Sequence, residues 1–196
     1  MLRCLMMVFV VFGVSAQASG QNKSENLSLS EAPQVSKKVM EDRLFDAARM
    51  GRTDVIDALL QLGTNVNTVS EKGYSALILA AYAGQSEAVS NLLAAGADAC
   101  FLGPRGNTAL MGAVFKGHAD VVKRLNDTAG CTVDSQSRSG QTALMMAALF
   151  GREDIARILV AAGADASFED ARGNSPISLA QSQGNLSMAQ LLGGTQ

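Results

Sequence analysis

The chain has 196 residues, 47% hydrophobic, 17% charged and 5% aromatic, so it holds enough apolar material for a buried core and is too balanced for wholesale disorder. Sixteen Lys and Arg against 18 Asp and Glu leave a formal net charge of -2 with no basic block, which argues against nucleic-acid or membrane-surface binding driven by phosphate neutralisation. One His and three Cys are too few soft ligands for a zinc finger or His-rich metal centre, and neither metal nor cofactor is expected.

Met1 to Arg3 form a short positive start, Leu5 to Val14 a nearly continuous apolar run, and Ala16-Gln17-Ala18 a small-x-small cleavage pattern. These features predict a signal peptide over residues 1–18. At about 1.5 Å per residue the run covers roughly 15 Å, half of a hydrocarbon core of roughly 30 Å, so it is too short to span a membrane. Ser19, not a cysteine, would stand at the new terminus, so no lipid anchor follows and the expected location is periplasmic or secreted. Residues 19–36 are polar and Ser-rich without a sustained apolar period, and they read as a flexible leader. The remainder, 37–196, reads as one domain.

Within that domain a glycine series, Gly51, Gly84, Gly117, Gly151 and Gly184, recurs every 33 or 34 residues. A second series, Gly73, Gly106, Gly140 and Gly173, keeps the same spacing. Ser75, Thr108, Thr142 and Ser175 precede Ala-rich stretches and are placed to cap a first helix, with Pro176 at a first helical position. Leu77, Leu110, Leu144 and Ile177 recur three residues before Ala80, Ala113, Ala147 and Ala180, which predicts one apolar face with small residues for close helix contact. A second helix carries Ile56 and Leu59, Val89 and Leu92, Val121 and Leu125, Ile155 and Leu159, and Leu191 and Leu192. Repeats are expected at about 40–69, 70–102, 103–136, 137–169 and 170–193, with polar first and last units as caps. The third has one additional residue between Arg124 and Gly130.

This period and these segments resemble the ankyrin repeat over about residues 40–193. The resemblance implies an all-α solenoid of about five helix-turn-helix repeats joined by hairpin loops, binding protein partners and expected as a monomer. The usual Thr-Pro-Leu-His opening is replaced here by Thr108-Ala-Leu-Met and its relatives, so the loop network made by that histidine is not expected. The Ala-Leu-Met form is similar to bacterial members. Small exported members of that kind imply two roles, support of a catalase in oxidant defence and immunity against a toxin. A secreted effector is a further alternative and an enzyme a remote one.

No catalytic residue is assigned. His118 stands alone at the start of a second helix, with no nucleophile or carboxylate placed beside it by any motif, and reads as packing. Asp98 and Asp165 read as turn formers. Met111, Met145 and Met146 read as core filling. Cys100 and Cys131 lie in loops that stacking makes neighbours, but at non-equivalent positions of the repeat; a disulfide and two separate thiols are both open.

The face that the family uses for partners, transferred position by position, comprises Arg49 and Met50, Glu71 and Lys72, Tyr74, Tyr82, Arg105 and Asn107. It continues with Phe115, Lys116, Arg138, Gln141, Leu149, Phe150, Arg172 and Asn174. Tyr82, Phe115, Leu149 and Phe150 form an apolar column in this set. Exposed aromatics beside arginine are the residue types enriched at binding hot spots. Packing of Phe115 and Phe150 between adjacent repeats is the competing reading.

Overall fold

A computed structural model of the chain describes residues 32–128 and 130–194. The segment read as a signal peptide, and most of the segment read as a leader, lie outside the described residues. Among the described residues ten helices follow one another: α1 (Ala32–Met50), α2 (Thr53–Gln61), α3 (Ala76–Tyr82), α4 (Ser86–Ala94), α5 (Ala109–Lys116), α6 (Ala119–Thr128), α7 (Ala143–Leu149), α8 (Glu153–Ala161), α9 (Pro176–Ser182) and α10 (Leu186–Gly193). They pair in sequence as five antiparallel hairpins. The first helices α1, α3, α5, α7 and α9 stack in one row and the second helices α2, α4, α6 and α8 in another, while α10 closes on α9. The chain is an all-α solenoid.

Each helix boundary has a local cause. The side chains of Ser75, Thr108, Thr142 and Ser175 accept hydrogen bonds from the backbone N–H groups of Ile78, Met111, Met145 and Ser178 at 3.2–3.3 Å, satisfying donors that have no partner inside the helix. Most second helices start without such a cap. Instead Asp54, Glu87, Asp120, Glu153 and Asp154 stand in their first turns, where a carboxylate meets the positive end of the helix dipole.

Gly84 shows why a glycine recurs between the two helices of a repeat. Its φ of +77° is a left-handed conformation that L side chains resist, and a Cβ there would lie 2.7 Å from the His118 imidazole of the next repeat. His118 is therefore a stacking residue. Gln85 takes the same place above Gly51, where its amide donates to the Arg49 carbonyl at 3.1 Å.

Ala80, Ala113, Ala147 and Ala180 are all fully buried between first helices, and Leu144, Ile155, Leu159 and Met145 fill the space between the rows. Larger side chains at the alanines would force the first helices apart, an overpacking that costs about 1–3 kcal/mol. Met111 and Met146 are also buried.

One feature differs from the sequence expectations. The first helix begins at Ala32, inside the segment read as leader and ahead of the first repeat's expected start near residue 40. Pro33 suits a helix start because its missing N–H is not needed there, and Lys38 anchors this overhanging turn by pairing with Glu71 of the first loop. The loops reverse the chain as hairpin turns, with one isolated bridge, Val69 to Ser75, among the described residues. Each loop turns back through two backbone bonds: the N–H groups of Ser70, Gly103, Ser137 and Asp170 donate to the carbonyls of Tyr74, Asn107, Gln141 and Asn174 at 2.9–3.0 Å, and those of Gly73, Gly106, Gly140 and Gly173 donate to the carbonyls of Ser70, Gly103, Ser137 and Asp170 at 2.7–2.9 Å.

Successive loops are tied across a separation of 31 residues. Asn67 accepts from the Asp98 N–H at 2.8 Å, and Asp134 accepts from the Asp165 N–H at 3.1 Å. Cys100 holds the position equivalent to Asn67 and Asp134, and it is joined by a disulfide to Cys131, also 31 residues on, with Cα atoms 5.3 Å apart. A covalent link thus replaces the polar one at the junction of repeats two and three. Asp98 and Asp165 accept from the N–H groups of Cys100 and Ser167 and so hold the turns. The Ser167 contact also lowers the Asp165 carboxyl below its ordinary range, whereas burial raises that of Asp134.

Candidate functional site

The ends of α3, α5 and α7 and the three loops between Glu71 and Gln141 enclose a groove of about 780 Å³. Its position follows from the repeat. Tyr82, Phe115 and Leu149 occupy the same register, the last positions of α3 and α7 and the last but one of α5, beyond the reach of the core between the helix rows. Tyr82 and Phe115 stack with ring centroids 6.1 Å apart. At the next step Leu149 is half-buried and Phe150, one residue later, takes over, meeting Phe115 edge-on at 5.0 Å. The rings remain 45%, 41% and 43% exposed for Tyr82, Phe115 and Phe150, so packing on each other and presentation to solvent coexist. Lys116 lies 5.1 Å above the Tyr82 ring.

The groove brings together ten residues of the partner face: Arg49, Lys72, Tyr74, Tyr82, Arg105, Asn107, Phe115, Gln141, Leu149 and Phe150. The other six are placed differently. Met50 is exposed at the end of α1, and Arg172 is exposed in the last loop. Lys116 flanks the column. Three of the six are engaged within the chain. Glu71 pairs with Lys38, which lowers its carboxyl below the usual range. Arg138 donates to the Pro104 carbonyl at 3.0 Å with its stem against Gly106, so it joins two loops. Asn174 donates through backbone and side chain to Asp170 at 2.9–3.1 Å, and these contacts hold the Asp170 carboxyl low.

The floor consists of Ile78, Leu79, Met111, Gly112 and Met146, none of which the sequence reading assigned to the site. Methionines on the apolar helix face were counted as core, and they are buried, yet their edges line the groove. Gly112 carried a legible signal. It occupies the register of Leu79 and Met146 in the interior of α5, where glycine costs roughly 0.5–1 kcal/mol relative to alanine. A Cβ at Gly112 would meet the Tyr82 ring at 3.8 Å, an ordinary contact, so backbone crowding does not require the glycine. Its effect is to deepen the groove beside Tyr82.

Among the described residues no cluster of three potential metal ligands occurs, and no helix is long and apolar enough to cross a membrane. The exposed rings, the flanking cations and the open floor have the chemistry of a macromolecular contact surface: large, rigid apolar anchors beside groups that bond to polar atoms.

Comparison with protein families matches the description Ankyrin repeats (3 copies) over residues 44–137 and again over 120–195. Comparison with curated proteins finds no match. With the match spanning most of the chain and the paired-helix stack already evident in the structure, this protein belongs to the ankyrin repeat family, whose repeats generally mediate protein–protein interaction.

Proposed function

We propose that this chain is an exported module that docks a partner protein in the groove between α3, α5 and α7, with no catalysis of its own. One observation carries the reading. Three aromatic rings stay more than two-fifths exposed on a fold whose core is already filled by Leu, Ile, Met and Ala. Leaving such rings in water forgoes roughly 25 cal/mol for each Å² of apolar surface that could be buried, which a partner recovers. Export is supported by the pattern over residues 1–18 and by a disulfide at Cys100 and Cys131, since such bonds persist in oxidising compartments. Either the periplasm or the exterior satisfies both features.

The test is affinity capture from the native periplasm with wild type, with Tyr82→Ala/Phe115→Ala/Phe150→Ala, and with Gly112→Met. The last copies Met146 at the same register and fills the floor while leaving every ring in place. Loss of the same specific partner from both variants, with unchanged circular dichroism, is the expected result. Retention by both variants eliminates the groove as the docking site. The two roles implied by resemblance, support of a catalase and immunity to a toxin, separate in a deletion strain. The first gives peroxide sensitivity with catalase present but less active; the second gives viability only when a cognate toxin is absent.

A further inference from the structure

The charges around the groove are segregated in a way the fold does not require. The chain as a whole is slightly acidic, yet the groove is lined by Arg49, Lys72 and Arg105 and by no carboxylate, and Lys116 stands beside it. Acidic residues elsewhere have structural work: Asp54, Glu87, Asp120, Glu153 and Asp154 sit at helix N-termini. Asp98, Asp134, Asp165 and Asp170 hold turns and loop junctions. Arg49 is answered by Asp46 at 2.6 Å. Lys72 and Arg105 are exposed and, among the described residues, form no ion pair or hydrogen bond.

Resting on the docking reading above, we infer that the partner presents an acidic, extended segment bearing an aromatic or aliphatic anchor. The anchor packs on Tyr82, Phe115 and Phe150 above the Gly112 gap. Carboxylates flanking it reach Lys72 and Arg105 at the loop tips and Lys116 at the helix end. Complementary charge steers encounter and fixes direction, while the rings hold the complex. A nucleic acid also joins negative charge to stacking bases. It is disfavoured because three or four cations on a chain of net charge -2 neutralise few phosphates.

The test uses the disulfide-bonded chain that begins at Ser19 and a phage-displayed library of random peptides of about 12 residues, about 40 Å long when extended at about 3.3 Å per residue. Selection is on wild type, and the enriched sequences are then assayed for binding to Gly112→Met. The expected outcome is a set of sequences with net negative charge around one apolar anchor. A synthetic peptide from this set should bind Lys72→Glu/Arg105→Glu at least about tenfold more weakly than wild type and weaken with salt. Neutral or basic sequences that still depend on Gly112 would overturn the acidic partner and leave the groove as the docking site. Sequences indifferent to Gly112→Met, or no enriched sequence, would overturn both. A labelled single-stranded DNA 20-mer is titrated in parallel; binding in the groove as tight as the selected peptide would overturn the protein segment in favour of nucleic acid.

Discussion

The outer helices α2, α4, α6 and α8 hold seven carboxylates and three cations, whereas in the inner row, beyond the charged end helix α1, the helices α3, α5, α7 and α9 hold one lysine and no carboxylate. Both rows come from the same 33-residue unit and share one core, so the contrast lies in what each presents to water. The outer acids cluster in first turns, where the helix dipole accounts for them. No comparable folding rule accounts for the rings at the ends of α3, α5 and α7, or for Lys72 and Arg105 beside them. Surface chemistry that helix formation explains, set against surface chemistry that it leaves unexplained, is what separates scaffold from site here.

The comparison is most exposed at the shared core. Leu144 on the inner row and Leu159 on the outer row are both fully buried, and truncating either to alanine should cost about 2–5 kcal/mol in urea denaturation. A large loss at one and none at the other would break the two-row picture. Replacing Cys100 and Cys131 together by serine should cost about 2–4 kcal/mol, because the link closes a long loop in the unfolded chain. The same measurement on wild type with and without reductant checks it, and equal midpoints would mean that the polar ties at the neighbouring junctions suffice alone.

Smaller effects sharpen the division between scaffold and site. Gly112→Ala should raise stability by about 0.5–1 kcal/mol, since α5 gains a better helix former and the new methyl makes only an ordinary contact with Tyr82. A destabilised variant would show that the glycine serves packing and not the groove. The smallest effect distinguishes the charges: Glu87→Gln on the outer row should lower the thermal midpoint by about 1–3 °C, while Lys72→Gln at the loop tip should leave it unchanged. Calorimetry at low ionic strength resolves the pair. Equal shifts would remove the reason for treating Lys72 as spare.

Much of the scaffold was legible along the chain because its signals are local. A hydroxyl at Thr142 caps a helix through a residue three positions away, and Gly84 adopts a left-handed turn through its own backbone. The column of Tyr82 and Phe115 was also readable, since register alone places both beyond the core. Leu149 was assigned to the same column, but the branched side chain sinks to half-buried and Phe150 completes the stack edge-on. Arg138, Asn174 and Glu71 have the composition of a binding surface. Their commitments to Pro104, Asp170 and Lys38 depend on which atoms fold back within reach, and residue type carries no record of that.

The amino-acid order by itself determined the period, the caps, the turn glycines and hence an all-α stack of repeats, because each of these acts within one turn of chain. Tertiary structure alone decided that Cys100 reaches Cys131, that Lys38 of α1 pairs with Glu71 of the first loop, and that buried methionines double as the floor of an open groove. Those outcomes join residues about 30 apart or more. They are set by how one repeat superposes on the next, a distance in space that spacing along the chain does not encode.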